Sequence, residues 1–401
     1  MKNYIPSPYG KYNGNEIEYV LKALDFETEE NRGIPWVTKF EEEFCKLSGS
    51  KYAIAVNSAT SGLHAALVAC GVKEGDEVIQ PGLTVVMNSF TTILAGATPV
   101  YADIDKDTWN ITAESISNKI TSNTKVIMPV SLFGVPTDID PIMKIAKEKN
   151  LYVIDDCAET ICGIYKNKFA GSVADVAVFS FENKKHMSSG GEGGMIITNN
   201  EELAIKMRKF AGIGYKNLTA SAGRTSLAAS TFQDPNYQRH DIVGLNYRMT
   251  SINAAIGLAQ LERIEHLVER RIAVGNMFLS AVDGCTWIVP QKTYSYANHT
   301  MYTFAFLYEG MNANGVSWKE FYNRFKEKGG DGFYAAWVNP YLEPALKNKQ
   351  FGITKCQHGL CPVAEEYQKK IMLFKTNYRD LSKARKNAIL LANLIDEIGR
   401  N

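Results

Sequence analysis

Between residues 51 and 200 the chain keeps one rhythm, and that rhythm excludes most folds. Short runs rich in Val and Ile (51–56, 77–81, 99–104, 125–130, 151–156, 174–181, 194–198) are interrupted by helix-like segments such as 61–70 and 140–150, and 201–211 follows as another helix. Strand-length runs that are apolar on both faces and separated by helices predict a mainly parallel sheet covered on both sides. The expected fold class is therefore α/β. Residues 215–240 (YKNLTASAGRTSLAASTFQDPNYQRH) are polar and irregular, and a connection that long is usually functional or disordered. From Ser251 the apolar residues of INAAIGLAQLERIEHLVERRIAVGNMF recur at three-to-four spacing and predict one long helix. Mixed segments after it predict a smaller C-terminal α+β domain. The expected division is a large domain at 1–255 and a small one at 256–401.

A chain of 401 residues buries roughly three quarters of its unfolded surface, so its core needs no metal or disulfide staple. With 44 basic and 43 acidic residues, a dedicated nucleic-acid or polybasic membrane surface is not expected. The seven cysteines (45, 70, 157, 162, 285, 356, 361) form no CxxC pair and fit no common zinc spacing. They read as reduced, mostly buried thiols, and no metal site is expected. The N-terminal MKNYIPSPYGKYNGNEIEYV has no apolar signal core, and no stretch approaches the ~20 apolar residues of a membrane span. A soluble, cytoplasmic protein is expected.

Three segments bring chemistry to strand ends of one α/β sheet, where such sheets bind ligands. Asn57-Ser-Ala-Thr-Ser-Gly62 joins a strand to a helix. Its small residues leave backbone N–H groups free at a helix N-terminus, which favours a phosphate; the same residues also serve as ordinary N-caps. Asp155-Asp156-Cys-Ala-Glu-Thr160 ends an apolar strand, and an acid there suits a protonated pyridine nitrogen as well as a solvated strand end. Phe179-Ser-Phe-Glu-Asn-Lys-Lys-His-Met-Ser-Ser-Gly-Gly-Glu-Gly-Gly194 sets a lysine on a loop before a Gly-rich turn, and glycine lets backbone pack close. Such an amine can form an imine if burial and neighbouring cations lower its pKa.

With these segments in hand, the chain resembles the DegT/DnrJ/EryC1/StrS family of pyridoxal-phosphate (PLP) sugar aminotransferases of fold type I. The likeness is greatest to its perosamine-synthase-like branch. The resemblance covers nearly the whole chain: 35–44, Gly75-DEVIQPGLT-Thr84, Asp105-KDTWNIT-Thr112, the Asp156 and Lys185 segments, Gly244-LNYRMTSINAAIGLAQLERI-Ile264, and Cys361-PVAE-Glu365. It implies a large domain with a mainly parallel mixed sheet and pyridoxal 5'-phosphate as cofactor. Lys185 would be the Schiff-base lysine and Asp156 the partner of the pyridine nitrogen. Ser180, Ala59 and Thr60 would hold the phosphate, and Ala158 would pack behind the ring. Asn246 would reach the cofactor phosphate of a neighbouring subunit, implying a homodimer with shared sites, and the 215–240 loop would line that cleft.

Three positions depart from the family pattern. An extra glycine (Gly190 or Gly191) lengthens the lysine loop: counting forward from Ser180 puts the lysine slot on Lys185, and counting back from Gly191 puts it on His186. A histidine there marks sugar 3-dehydratases; forward counting is preferred, because it also puts Met187, Ser188 and Ser189 on the family's apolar-hydroxyl-hydroxyl run. Val85 stands where an aromatic ring often stacks on the cofactor, so aliphatic packing would replace stacking. Glu159 stands where Gln often binds the phenolic oxygen, so it must be protonated, turned away or otherwise paired. The resemblance implies glutamate as amino donor and a nucleotide-linked, 4-keto-6-deoxy sugar as acceptor. The segment 329–344 (GGDGFYAAWVNPYLEP), which aligns poorly with the family, is a candidate for part of the acceptor pocket. Rival readings are a PLP-dependent sugar dehydratase, an aminotransferase acting on a keto-cyclitol or other non-nucleotide ketone, and a non-catalytic regulatory protein of the same fold.

Overall fold

The structure is a computed structural model that describes residues 10–25, 35–221 and 227–401. Nine strands lie in its first half: β1 (Tyr52–Val56), β2 (Glu77–Pro81), β3 (Thr98–Ala102), β4 (Thr124–Ile127), β5 (Tyr152–Asp156), β6 (Ile164–Tyr165), β7 (Lys168–Phe169), β8 (Val176–Ser180) and β9 (Gly194–Thr198). All but the β6–β7 hairpin form a seven-stranded sheet in the order β1-β9-β8-β5-β4-β2-β3. Strand β9 runs antiparallel to both its neighbours, and every other pairing is parallel. The sheet is thus mainly parallel and mixed, as the alternation predicts.

The strands are apolar on both faces because both faces are covered. On one side the helices Ala59–Ala69 and Glu201–Ala211 pack Leu63, Leu67, Leu203 and Met207 against Ile54, Val126, Ile154, Val178 and Ile196. On the other, Trp36–Ser48 and Ser251–Leu261 bring Phe40, Phe44, Ala255 and Leu258 onto Ala53, Phe179, Phe181 and Met195. Each large apolar side chain buried this way contributes roughly 1.5–3 kcal/mol. Glycine is required where the helix after β1 meets the sheet, because a methyl on Gly62 would come 2.9 Å from Val178 Cγ1.

The long helix expected from Ser251 is two helices, Ser251–Leu261 and Ile264–Val282. The break falls at Arg263, whose φ of −128° leaves the helical region. Its guanidinium is held by the Lys11 carbonyl and Glu16. The apolar period continues across this break, so periodicity alone does not reveal it. A division at 255/256 falls inside Ser251–Leu261, whose Ala254, Ala255, Leu258 and Leu261 all pack in the first core. Within 215–240, a short helix spans Ala229–Gln233, and 222–226 lie outside the described residues.

The C-terminal part carries a four-stranded antiparallel sheet in the order β10-β11-β15-β12, made of β10 (Ile288–Pro290), β11 (Thr303–Tyr308), β12 (Tyr334–Ala335) and β15 (Ile371–Lys375); β13 (Gln350–Phe351) and β14 (Thr354–Lys355) form a separate hairpin. Phe278 of Ile264–Val282 and Leu391 and Leu394 of Leu381–Ile398 pack on Phe304, Phe306 and Phe374. Among the described residues no helix is long and apolar enough to cross a membrane. The seven cysteines are free thiols.

Candidate active site

The topology brings the C-terminal ends of β1, β8 and β5 to one edge of the sheet, beside the start of β9. After β1, Ser58 caps the helix Ala59–Ala69: its Oγ accepts from Ser61 N at 3.1 Å. Ala59 and Thr60 occupy the first turn, where amides have no intrahelical acceptor. Gly194 lies directly against them, since a methyl there would come 2.7 Å from Ala59 N. Ser180 pairs with Gly194 in the β8–β9 ladder, and its Oγ accepts from Glu182 N at 3.3 Å. Free amides and a hydroxyl therefore converge at one helix start, a cradle for an anion.

One strand over, β5 delivers Asp156, opposite Val178 of β8. The carboxylate is buried, and each oxygen is fixed: Asn88 Nδ2 donates to Oδ2 at 2.9 Å and Ala158 N to Oδ1 at 3.0 Å. Burial raises its pKa above the usual carboxylate range, and its hydrogen bonds and the Lys185 ammonium oppose that rise. Its neighbour Asp155 points to the other face of the strand. Burial pushes Asp155 up to about 7, and Ser131 Oγ lies 3.4 Å away.

The Lys185 ammonium and the Asp156 carboxylate attract each other weakly across the site. Its Nζ is 3.2 Å from Glu159 Oε1 and 4.3 Å from the centre of the Tyr302 ring, with the side chain 13% exposed. The other Glu159 oxygen accepts from Phe133 N at 2.9 Å, so Glu159 resolves as paired. The condition named for imine formation, an amine lowered by burial and nearby cations, is not met by the surroundings of Lys185 alone. Burial does work against its charge, yet Glu159 and Tyr302 outweigh it and hold Lys185 above the ordinary lysine value. Cations are not its nearest neighbours; a carboxylate is.

The loop is fixed from behind by Arg271. Its Nη2 donates to the carbonyls of Lys184 and Lys185 at 2.6 and 2.7 Å, and its Nη1 to that of Tyr302 at 2.7 Å. Lys184 is exposed. His186 turns the other way: it is buried, with Nε2 2.9 Å from the Thr300 carbonyl, and burial holds its pKa well below the ordinary value. Lys185, and not His186, meets Glu159. Gly190 and Gly191 absorb the extra residue with φ of +89° and +127°, which glycine adopts without strain. Val85 and Ala158 are both half-buried. Asn246 is exposed and bridges Gly212, and its Oδ1 accepts from Arg248 Nε at 3.0 Å. Within the 329–344 segment, Trp337 stacks on Phe133 with ring centres 5.4 Å apart.

Sequence reasoning assigned no role to Asn88, Tyr302, Thr300 or Arg271. Arg271 had a signal: it is a basic residue on the face of its helix that also buries Val268 and Val274. The other three are polar or aromatic groups brought in by distant elements, with no local pattern.

The family model for the DegT/DnrJ/EryC1/StrS aminotransferase family matches residues 11–385. A GDP-perosamine synthase of Caulobacter vibrioides is 44% identical over 66% of this chain and 67% of its own length. A GDP-perosamine synthase of Escherichia coli O157:H7 is 39% identical over 69% of this chain and 70% of its own. The solved structure of an aminotransferase from Psychrobacter cryohalolentis superposes with a TM-score of 0.83 at 28% identity, covering 96% of this chain and 97% of that one. The chain belongs to the DegT/DnrJ/EryC1/StrS aminotransferase family.

Proposed function

We propose that this family member is a PLP-dependent aminotransferase that moves an amino group from glutamate to a nucleotide-linked keto sugar, with a 4-keto-6-deoxy sugar as acceptor. The observation that carries this reading is the mostly buried Lys185 amine, 3.2 Å from Glu159, on the loop that follows β8, the strand paired with the one ending in the anchored carboxylate of Asp156. The two perosamine-synthase relatives support the choice of acceptor.

The residues fit the cofactor. Ala59, Thr60 and Ser180 would hold its phosphate, Asp156 its ring nitrogen and Lys185 its aldehyde carbon, with Val85 and Ala158 packing on the ring. Asn246, on an exposed edge, would serve the second subunit of a homodimer with shared sites. When bound, pyridoxal phosphate supplies an electron sink that stabilises negative charge at the substrate carbon. Asn88 and Ala158 N fix the Asp156 carboxylate, which would keep a proton on the ring nitrogen. Lys185 Nζ carries a proton to and from the substrate carbon; such transfer typically contributes ~10² to 10⁴ in rate. Glu159 would pair with the amine whenever it is free. The Trp337–Phe133 stack would wall the acceptor side.

The test is a glutamate-dependent assay against a panel of nucleotide-linked 4-keto-6-deoxy sugars and a keto-cyclitol, with mass detection. Amination of a nucleotide sugar with consumption of glutamate supports the reading. Loss of a hydroxyl without glutamate consumption would establish the dehydratase instead.

A further inference from the structure

A polar cleft of about 110 Å³ lies behind the lysine loop, and it shares Lys185, His186 and Arg271 with the site above. It is bounded by residues 10–13, the loop at 183–186, the helix Ile264–Val282 with Arg263 before it, and residues 376–379. None of Ala59, Asp156, Glu159 or Ser180 lines it.

Its charge is one-sided. Lys11, Arg263, Arg270, Arg271 and Arg379 line it, with His266 at its side. Of the five fixed cations only Arg263 has a salt bridge among the described residues, to Glu16 at 2.6 Å. Lys11 Nζ is tied to Asn183, with Oδ1 2.9 Å away. Among the described residues Arg270 donates to the Arg379 carbonyl, and Arg271 to carbonyls and Thr376 while lying over the Tyr302 ring. Arg263 Nε is buried with no acceptor. The carboxylates nearby are Glu16, already bonded to Arg263, Glu182, whose Oε2 accepts from Lys184 N, and Glu159, paired with Lys185 and acting on Arg271 from the far side of the loop. Burial first, then Arg271 and Arg379, lower Lys11 to about 8, and Glu182 offsets this only in part. A cleft with this uncompensated charge attracts anions.

We propose that this cleft binds a small oxyanion, a carboxylate or a phosphate group, through Lys11, Arg270 and Arg379, with Arg263 and Arg271 supplying the surrounding field. Guanidinium forks and a lysine suit either anion. Because Arg271 holds the carbonyls of Lys184 and Lys185, the occupied cleft abuts the segment that carries the catalytic amine. The proposal stands on this geometry alone and does not depend on the identity of the acceptor sugar.

Calorimetry on the full-length protein at constant ionic strength, with inorganic phosphate in one arm and glutarate in the other, tests it. Saturable binding in at least one arm is expected, and the stronger arm identifies the anion. Arg379→Gln and Lys11→Met, verified as folded by circular dichroism, should each weaken it about tenfold or more. Near pH 8 wild-type binding should take up a fraction of a proton, because an anion favours the charged form of Lys11. That uptake should fade at pH 6.5 and be absent in Lys11→Met. No saturable binding in either arm overturns the proposal, as does binding that both variants leave unchanged.

Discussion

Lys185 Nζ and Glu159 Oε1 stand 3.2 Å apart in a part-buried pair, and Phe133 N secures the far oxygen of the same carboxylate. A nucleophilic amine must be neutral, and this carboxylate keeps it charged. Glu159 therefore favours the charged form of a free Lys185, and attachment of an aldehyde requires that pairing to loosen.

Glu159→Gln should separate the two effects on the amine. With the carboxylate gone, burial prevails and Lys185 falls below its present value. Attachment of pyridoxal phosphate, followed by its visible absorbance across pH, should shift to lower pH. The stability sign also follows. A lysine raised in the folded state contributes stability that is complete below the unfolded value of about 10.4 and is lost only as pH rises through the folded one. The variant lacks that contribution at all pH values below this. Removing one partner of a buried pair typically costs about 3–5 kcal/mol, and a fall of the lower order is expected because Gln can retain the Phe133 bond. An unshifted attachment profile would contradict the role given to Glu159.

Arg271→Lys should not be conservative. Two nitrogens of one planar fork serve the carbonyls of Lys184, Lys185 and Tyr302, and an ammonium cannot reproduce that geometry. Hydrogen bonds to a charged group are worth about 1.5–3 kcal/mol each, so a loss of at least about 2 kcal/mol in denaturant unfolding is expected. Wild-type stability in the variant would show that the clamp is dispensable.

Asp155 gives a pH signature of opposite sign to the usual carboxylate. Its folded pKa is pushed up to about 7 by burial, whereas the unfolded value is about 3.9. Between these values the folded state binds the proton that the unfolded state has released, so stability falls as pH rises from about 4 to 7 and levels off above. The slope from this group approaches about 1.4 kcal/mol per pH unit. Asp155→Asn should flatten that part of the profile in chemical denaturation at several pH values. A variant that keeps the wild-type slope would refute it.

Much of this was legible in the sequence because it rests on local pattern. Strands apolar on both faces announced the covered sheet, and β9 (Gly194–Thr198) was read to its limits because glycines and Asn199-Asn200 bound it. The lysine loop was read through a residue count, and the positive φ angles of Gly190 and Gly191 are compatible with an insertion at the glycines. What stayed hidden depends on long-range meetings. The break at Arg263 answers to Glu16 and Lys11, some 250 positions earlier. The state of the amine depends on a glutamate that the sequence placed nearby but could not orient. Tyr302 arrives just before β11 of the C-terminal sheet, whose register no local signal near Lys185 encodes.

The most direct test of the central claim is to find which amine takes the cofactor. The protein is incubated with pyridoxal phosphate, reduced with borohydride, digested and mapped by mass spectrometry. One pyridoxyl group on Lys185, absent in Lys185→Ala together with the visible absorbance, is the predicted result. Label on Lys184 or another lysine with Lys185 unmodified, or an absorbance that survives Lys185→Ala, would contradict the account.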